Sequence, residues 1–158
     1  MTTIRNPAVA GMFYPGEAGV LRNDVDTMLA DAAAAEKPPK AMIVPHAGYI
    51  YSGPVAATAY ASLHAAHDSI STVVLLGPSH RVYFQGLAAP EADQFATPLG
   101  TIPVEQQRID RLLAACPLVT RHAASHAREH SLEVHLPFLQ AQLDAFALIP
   151  LVVGDATP

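Results

Sequence analysis

Residues 41–80 read AMIVPHAGYIYSGPVAATAYASLHAAHDSISTVVLLGPSH, and they give the strongest indication of the fold class. Two short apolar runs, Ala41–Val44 and Thr72–Leu76, are predicted to be strands. Between them, the alanine-rich stretch Pro54–Ala66 is predicted to be a helix with its proline in the first turn. A strand, a helix and a strand in this order are typical of a parallel sheet. Because such crossovers are nearly always right-handed, we expect the two strands to lie side by side.

A histidine follows each of these predicted strands. His46 comes after the first strand and His80 after the second. Ligands of open parallel sheets collect beyond the carboxyl ends of the strands, and adjacent strands lie about 4.8 Å apart. The two imidazoles are therefore expected to converge on one ion, since imidazole binds iron, zinc and copper. The alternative is that each is a loop histidine bonded to the backbone.

A third cluster of ionisable residues lies in the predicted helix Glu129–Leu143, which Pro137 must kink or divide. On a helix, His130 and Glu133 would share a face because they are three residues apart. A carboxylate beside an imidazole fixes the ring tautomer and suits general-base catalysis. Glu129, His130 and Glu133 are therefore candidate catalytic residues. The alternative is a solvated face whose charges only keep the protein soluble.

The remaining patterns predict further elements of an α/β domain over residues 1–158, with a mostly parallel central sheet flanked by helices. The last predicted strand is almost unbroken in its apolar character, which is typical of a sheet covered on both faces. These further elements are a helix over Gly19–Glu36, a strand over Phe84–Ala89, a turn at Thr97–Gly100, a strand over Thr101–Val104, a helix over Glu105–Ala115 and a strand over Phe146–Val153.

The composition excludes several classes of protein. Of 158 residues, 51% are hydrophobic and 15% charged, so a packed core is expected rather than disorder. The net charge is −5 and no basic run is present, which argues against a nucleic-acid surface. No window approaches the roughly 18 apolar residues of a membrane span. With one cysteine, Cys116, no intrachain disulfide can form, and we expect a cytoplasmic protein.

Other residues that could carry chemistry give weaker signals. Four histidines have no carboxylate at a useful spacing and are predicted to lie at the surface. They are His64, His67, His122 and His126. Cys116 is expected to end a helix against the core. Ser79 and Ser131 lie beside histidines, but the chain lacks the Gly-x-Ser-x-Gly turn of serine hydrolases.

Five motifs in the same order resemble the Memo family, whose bacterial members are often called the B protein of the AmmeMemoRadiSam system. They span nearly the whole sequence. They are RNPAVAGMFYP at residues 5–15, PHAGYIYSG at 45–53, LGPSH at 76–80, TPLG at 97–100 and EHSLEVHLPF at 129–138.

The resemblance implies a fold similar to the class III extradiol dioxygenases, in which two histidines and an acidic residue hold Fe(II) beside a catechol and oxygen. His46 and His80 match the family's two metal-site histidines. The implied cofactor is a divalent metal, Fe(II) first, with copper or zinc as alternatives. The Glu-His-Ser-x-Glu segment matches Glu129, His130 and Glu133. The residues implied to line or border the pocket are Phe13, Tyr49, Tyr51, Ser52 and Ser79.

Members of the family continue beyond the strand that matches Leu148–Val153, into a segment of the form Asp-x-x-His or Asp-x-Cys-His. We therefore expect this chain to be the N-terminal part of the family fold. The alternative is that its metal site is incomplete, because two histidines alone hold a metal poorly.

Three functions are compatible with these patterns. The first is a metal-dependent oxidoreductase for a small aromatic substrate, with His130 moving protons. The second, implied by eukaryotic relatives, is a module that binds a phosphotyrosine peptide. Phe13 and Tyr51 would then stack on the ligand, while Arg5 and the two metal-site histidines contact its anionic group. The third is a subunit that acts through association, including homo-oligomers.

Overall fold

The computed structural model describes residues 1–33 and 37–155. Their helices and strands belong to the α/β class, as predicted. In chain order they are β1 Ile4–Arg5, α1 Ala18–Ala30, α2 Tyr49–Ala61, β2 Thr72–Pro78, β3 Leu87–Ala89, β4 Gln94–Thr97, β5 Gly100–Pro103, α3 Gln106–Ala115, β6 Val119–Arg121, α4 Ala123–Ala127, α5 Leu136–Gln142 and β7 Ala147–Val153, with short 3₁₀ turns at His64–Ala66 and Glu133–His135.

The strands form two mixed sheets. The larger sheet has the order β2-β7-β3-β6, and the smaller has the order β1-β4-β5. Within the larger sheet β7 runs parallel to β2 and antiparallel to β3, which is parallel to β6. In the smaller sheet β1 and β4 are parallel, and β4 and β5 form an antiparallel hairpin. The helix-flanked sheet is therefore confirmed, with both strand directions present.

Strand β7 pairs with β2 along its whole length, from Thr72 opposite Ala147 to Pro78 opposite Val153. Its five central residues are buried, as its apolar sequence predicts. Pro150 is tolerated because β3 pairs with β7 only near its end, so the missing N–H breaks no bond to β3. Since β2 and β7 are parallel, their carboxyl ends lie at one edge of the sheet.

Three helices pack together on the core. Helix α1 contacts α2 and α5, and α2 also contacts α5. Leu21 of α1, Tyr60 of α2 and Phe138 of α5 are almost fully buried, and the Tyr60 and Phe138 rings stack with centroids 5.3 Å apart. This packing fixes the first turn of α2, which follows the His46 loop directly.

The predicted strand Ala41–Val44 is wrong. The segment is not assigned to a strand and pairs with no other among the described residues, and Ile43 is fully exposed. The neighbour of β2 is β7 instead. An apolar run becomes a strand only where another backbone completes its hydrogen bonds, and Pro45 removes a donor at its end.

Two predicted helix boundaries also change. Helix α1 ends at Ala30, and the predicted end at Glu36 lies outside the described residues. Helix α2 begins at Tyr49, so Pro54 lies in its interior rather than in its first turn. The earlier start is stabilised by burial of Tyr49 and by the Ser52 hydroxyl, which donates to the Ala47 carbonyl.

The predicted helix Glu129–Leu143 is only partly present. Residues Glu129–Leu132 are not helical, and Pro137 lies in the first turn of α5. The Glu129 carboxylate accepts the N–H groups of His130 and Ser131, which offers the backbone an alternative to helix formation. His130 and Glu133 therefore do not share a helix face, and that prediction is wrong.

The other predicted elements are largely found. Strands β2 and β5 and helix α3 lie close to their predicted positions, and the predicted turn at Thr97–Gly100 is present between β4 and β5. The predicted strand Phe84–Ala89 is reduced to β3. The short elements β1, β4, β6 and α4 were not predicted. Among the described residues, no helix has the length and apolar character needed to cross a membrane.

Candidate metal centre

Three histidine rings meet at the carboxyl end of β2. His46 lies in the loop before α2, His80 follows β2, and His130 lies in the loop before α5. The centroid of the His80 ring lies 5.2 Å from that of the His46 ring and 4.4 Å from that of the His130 ring. One ring nitrogen from each histidine lies within 4.8 Å of the others. The structure thus brings His46 and His80 together, and it adds His130.

Close packing against β2 brings His130 to this position. A Cβ on Gly77 would lie 2.8 Å from side-chain atoms of Leu132 and Ser131, so a larger residue would push this segment away. The Ser131 hydroxyl donates to the Pro78 carbonyl at 2.8 Å. Because the segment lies directly on the end of β2, the His80 and His130 rings become neighbours.

Glu129 contacts two of the three histidines, His80 and His130. It is 2% exposed and accepts the His80 N–H at 2.7 Å and the His80 Nδ1 hydrogen at 2.8 Å. Burial raises the pKa of Glu129, but the hydrogen bonds from His80 and from the Ser131 N–H outweigh it and hold the pKa at about 2. The ionised carboxylate requires a proton on Nδ1 of His80 and leaves its Nε2 free for a ligand.

Burial favours the neutral form of the other two rings, those of His46 and His130. Burial lowers the pKa of His46 and that of His130, and the neighbouring His80 lowers both further. The His130 Nδ1 is buried and has no hydrogen-bond partner among the described residues, although it lies 3.3 Å from a Glu129 oxygen. A buried nitrogen without a partner is costly. Neutral imidazole is the form that binds metals.

The three nitrogens lie close enough together that they could hold a metal ion. A metal–nitrogen bond is about 2.0–2.1 Å long, so two nitrogens on one ion lie at most about 4.2 Å apart. Small side-chain rotations would bring the observed group, within 4.8 Å, into this range. Three protein ligands with an open position are typical of catalytic sites. The third histidine of the cluster was not predicted to join His46 and His80, because the predicted helix placed His130 beside Glu133.

An open cavity of about 620 Å³ lies beside the histidines. Its wall is mostly apolar, and the Phe13 and His130 ring centroids are 4.5 Å apart. The lining residues are Met12, Phe13, Pro45, His46, Ala47, Gly48, Tyr51 and His130. Of the residues implied to line the pocket, Phe13 and Tyr51 are thus in the wall, and the cavity can hold a small apolar or aromatic group.

The three other residues implied to border the pocket serve the surrounding structure. Tyr49 is buried, and its hydroxyl donates to the Val134 carbonyl. The hydroxyl of Ser52 donates to the Ala47 carbonyl, and that of Ser79 donates to the Val82 carbonyl. None of the three is in the cavity wall. The two serine bonds lie in the loops that present His46 and His80.

Glu133 and Arg5 form a buried ion pair away from the cavity. Glu133 is fully buried, and Arg5 is 8% exposed. The Arg5 guanidinium also donates to the carbonyls of His126 and Glu129, at 3.0 and 2.7 Å. Arg5 is therefore not free to contact an anionic ligand, and that expectation is wrong. Because Glu133 is fully buried as well, it is not in a position to contact a substrate in the cavity.

The surface assignment of four further histidines needs one correction. His126 is buried, and its Nε2 hydrogen bonds to the Ala88 carbonyl at 2.8 Å. Burial lowers the pKa of His126 to about 4. His64 is exposed, His67 is partly exposed beside Asp144, and His122 caps α4. The short helix α4 was not predicted, which is why the burial of His126 was missed.

Comparison with known proteins identifies the family. A family model described as "Memo-like protein" matches residues 5–158. A MEMO1 family protein of Ignicoccus hospitalis is 37% identical over an alignment of 166 residues. The alignment covers 98% of this chain and 58% of the relative. A MEMO1 family protein of Thermotoga sp. is 34% identical over 165 residues, with coverages of 98% and 59%.

A third relative, from Methanothermobacter thermautotrophicus, is also called a MEMO1 family protein. It is 34% identical over 159 residues, which cover 95% of this chain and 57% of the relative. The chain therefore spans a little less than three fifths of the length of these relatives. The matched residues include the three histidines and the cavity wall, and the chain belongs to the Memo-like protein family.

Proposed function

We propose that this chain holds a divalent metal through His46, His80 and His130, and that the metal centre acts on a small aromatic substrate in the adjoining cavity. The carrying observation is the approach of three ring nitrogens to within 4.8 Å of one another. We propose Fe(II) as the preferred metal, since the family resembles the extradiol dioxygenases, and copper or zinc as alternatives. The reaction class is metal-dependent oxidation.

The residues around the histidines support this reading. Glu129 fixes the His80 ring, and burial lowers the pKa of His46 and that of His130, which favours the unprotonated form that binds metals. Phe13 and Tyr51 offer aromatic surfaces to a substrate ring. When bound, a metal in such a site supplies open coordination positions and Lewis acidity. In this proposal His130 binds the metal, and it no longer serves as the residue that moves protons.

The test is metal binding by the purified chain. After metal removal, the protein is loaded anaerobically with Fe(II), and separately with Zn²⁺, and bound metal is measured by mass spectrometry. We expect about one ion per chain, and at least a tenfold loss in the His46→Ala, His80→Ala double variant. The matched control is His64→Ala, His67→Ala, which removes another pair of neighbouring rings, 5.8 Å apart. Equal metal content in the two double variants would rule out the proposed centre.

A second candidate is the phosphotyrosine-binding module. The aromatic residues Phe13 and Tyr51 in the cavity wall favour it, since they could stack on a tyrosine ring. Because Arg5 is engaged with Glu133, the phosphate would have to be met by the imidazoles. Titration of metal-free protein with a phosphotyrosine peptide, with its unphosphorylated form as control, separates the two functions. Phosphate-dependent affinity without metal favours the module.

A further inference from the structure

The loop Val9–Tyr14 presents Met12 and Phe13 to the cavity. Internal hydrogen bonds define it: the Phe13 N–H donates to the Val9 carbonyl at 2.9 Å, and the Gly11 N–H donates to the Tyr14 carbonyl at 2.8 Å. Gly11 has a positive φ of 77°, which a side chain would disfavour. The loop is thus a defined turn, and its tip is part of the site.

Glu133 holds both ends of this loop. At one end its carboxylate accepts the N–H groups of Ala8 and Val9, at 2.8 and 2.9 Å. At the other end it accepts the Tyr14 hydroxyl at 2.6 Å. Arg5 balances the buried charge. A carboxylate with all these partners is committed to holding the backbone in place, and it has no lone pair facing the cavity wall.

The loop in turn touches two of the three histidine-bearing segments. The Phe13 ring packs on His130 with a centroid distance of 4.5 Å and an interplanar angle of 40°. The Phe13 carbonyl accepts the Tyr49 N–H at 2.8 Å, directly after the loop that carries His46. A shift of the Val9–Tyr14 loop would therefore move both the cavity wall and the surroundings of His130.

We propose that Glu133 is a positioning residue of this site: by anchoring both ends of the Val9–Tyr14 loop, it holds Phe13 against His130 and so sets the direction of the His130 ring. The role in metal binding rests on the proposed function, whereas the placement of Phe13 and His130 does not. The sequence predicted the same catalytic role for Glu133 and Glu129, because they lie four residues apart. Their contacts separate them, since Glu129 bonds to the histidines and Glu133 to the loop.

The test compares two tyrosine variants. Replacing Glu133 itself would leave Arg5 unpaired in the core and could prevent folding. Tyr14→Phe removes one anchor from Glu133 and keeps the ion pair. Tyr49→Phe is the matched control, because it also removes one buried hydroxyl bond, to the Val134 carbonyl, without touching Glu133. A third variant, Phe13→Leu, shows the His130 ring signal in the absence of the neighbouring aromatic ring.

The readout is NMR on metal-free protein. In Tyr14→Phe, we expect the His130 ring signal to move toward its position in Phe13→Leu, and the Phe13 amide to exchange about fivefold faster, as for loss of one hydrogen bond. Tyr49→Phe should leave both at their wild-type values. Wild-type values in Tyr14→Phe, or equal changes in both tyrosine variants, would overturn the positioning role.

A Co²⁺ titration then tests the link to the metal. We expect Tyr14→Phe to bind Co²⁺ about three- to tenfold more weakly than Tyr49→Phe. This is less than the roughly 10–100-fold seen when a metal ligand loses its direct orienting partner, because Tyr14 acts on His130 only through the loop and Phe13. Equal Co²⁺ affinity in the two variants would refute the effect on metal binding. If the wild-type chain bound no Co²⁺, the proposed metal function would fail, and the NMR comparison would still decide whether Glu133 positions His130.

Discussion

Glu129 and Glu133 are two buried carboxylates in one short segment, and they serve different parts of the site. Glu129 accepts hydrogen bonds from His80, His130 and Ser131, whereas Glu133 accepts them from the N-terminal segment. The difference arises because the backbone between them is not helical. One carboxylate therefore faces the histidines and the other faces the core.

Replacing Glu129 with glutamine is expected to weaken metal binding by about 10–100-fold, as for other residues that orient a metal ligand. The amide lacks the negative charge that holds the proton on Nδ1 of His80, so the ring loses both its direction and part of its basicity. Zn²⁺ affinity measured by calorimetry tests this. Glu105→Gln is the control, since Glu105 only forms a loose ion pair with Arg108 at 3.9 Å. Unchanged affinity in Glu129→Gln would contradict the orienting role.

Individual site residues were predictable from sequence to different degrees. His46 and His80 could be found because each directly follows an apolar run, and this pattern can be read from neighbouring residues in the sequence. His130 was a candidate catalytic residue, but its position beside His80 could not be predicted, since it depends on the Ser131 hydroxyl donating to the Pro78 carbonyl across the fold. The burial of Arg5 was equally hidden, because its partner Glu133 is 128 positions away.

Helix α4 and strand β3 are joined by a buried histidine. The His126 Nε2 hydrogen bonds to the Ala88 carbonyl, and burial lowers the pKa of His126 to about 4. A second buried histidine, His135, accepts the Tyr60 hydroxyl at its Nδ1, and burial lowers its pKa to about 4 as well. Both rings are neutral in the folded protein at neutral pH.

These shifts predict that the protein loses stability in mild acid. In the unfolded chain, His126 and His135 become protonated below about pH 6.5, whereas in the folded chain they stay neutral down to about pH 4. The free energy of unfolding therefore falls as the pH falls from about 6.5 to about 4. Each group contributes a slope of up to about 1.4 kcal/mol per pH unit. Urea unfolding at pH 7, 6 and 5 measures the decrease.

The control for this prediction is His126→Gln, which keeps a donor near the Nε2 position and cannot titrate. His46 and His130 shift in the same direction, so the informative quantity is the difference between wild type and variant. We expect a shallower pH dependence in the variant. Identical pH dependence of the two proteins would mean that His126 titrates normally in the folded state.

Whole elements were predicted well where hydrophobic pattern and tertiary partner agree. The β-branched run of β2 and the apolar run of β7 both find a partner along their full length, and both are strands. Ala41–Val44 has a similar pattern but no paired backbone among the described residues. Helix α2 begins before Pro54 because burial of its first turn outweighs the local cost of proline.

The edge strand β2 of the larger sheet carries two exposed apolar side chains. Strand β2 is the first in the strand order, and among the described residues β7 is its only neighbour. Val74 and Leu76 alternate outward on β2 and are 58% and 57% exposed, and Ile43 is fully exposed. An open strand edge with an apolar face favours pairing with another chain.

We therefore expect copies of this chain to associate through the open edge of β2. The weight-average sedimentation coefficient should rise with concentration in the wild type and rise much less in Val74→Thr, Leu76→Lys, because a charge on an edge strand opposes pairing. Leu118→Lys is the matched control: Leu118 precedes β6, at the opposite end of the strand order, and is 58% exposed. A wild type that stays monomeric at all concentrations, or a control that dissociates as readily, would show that the β2 edge does not drive association.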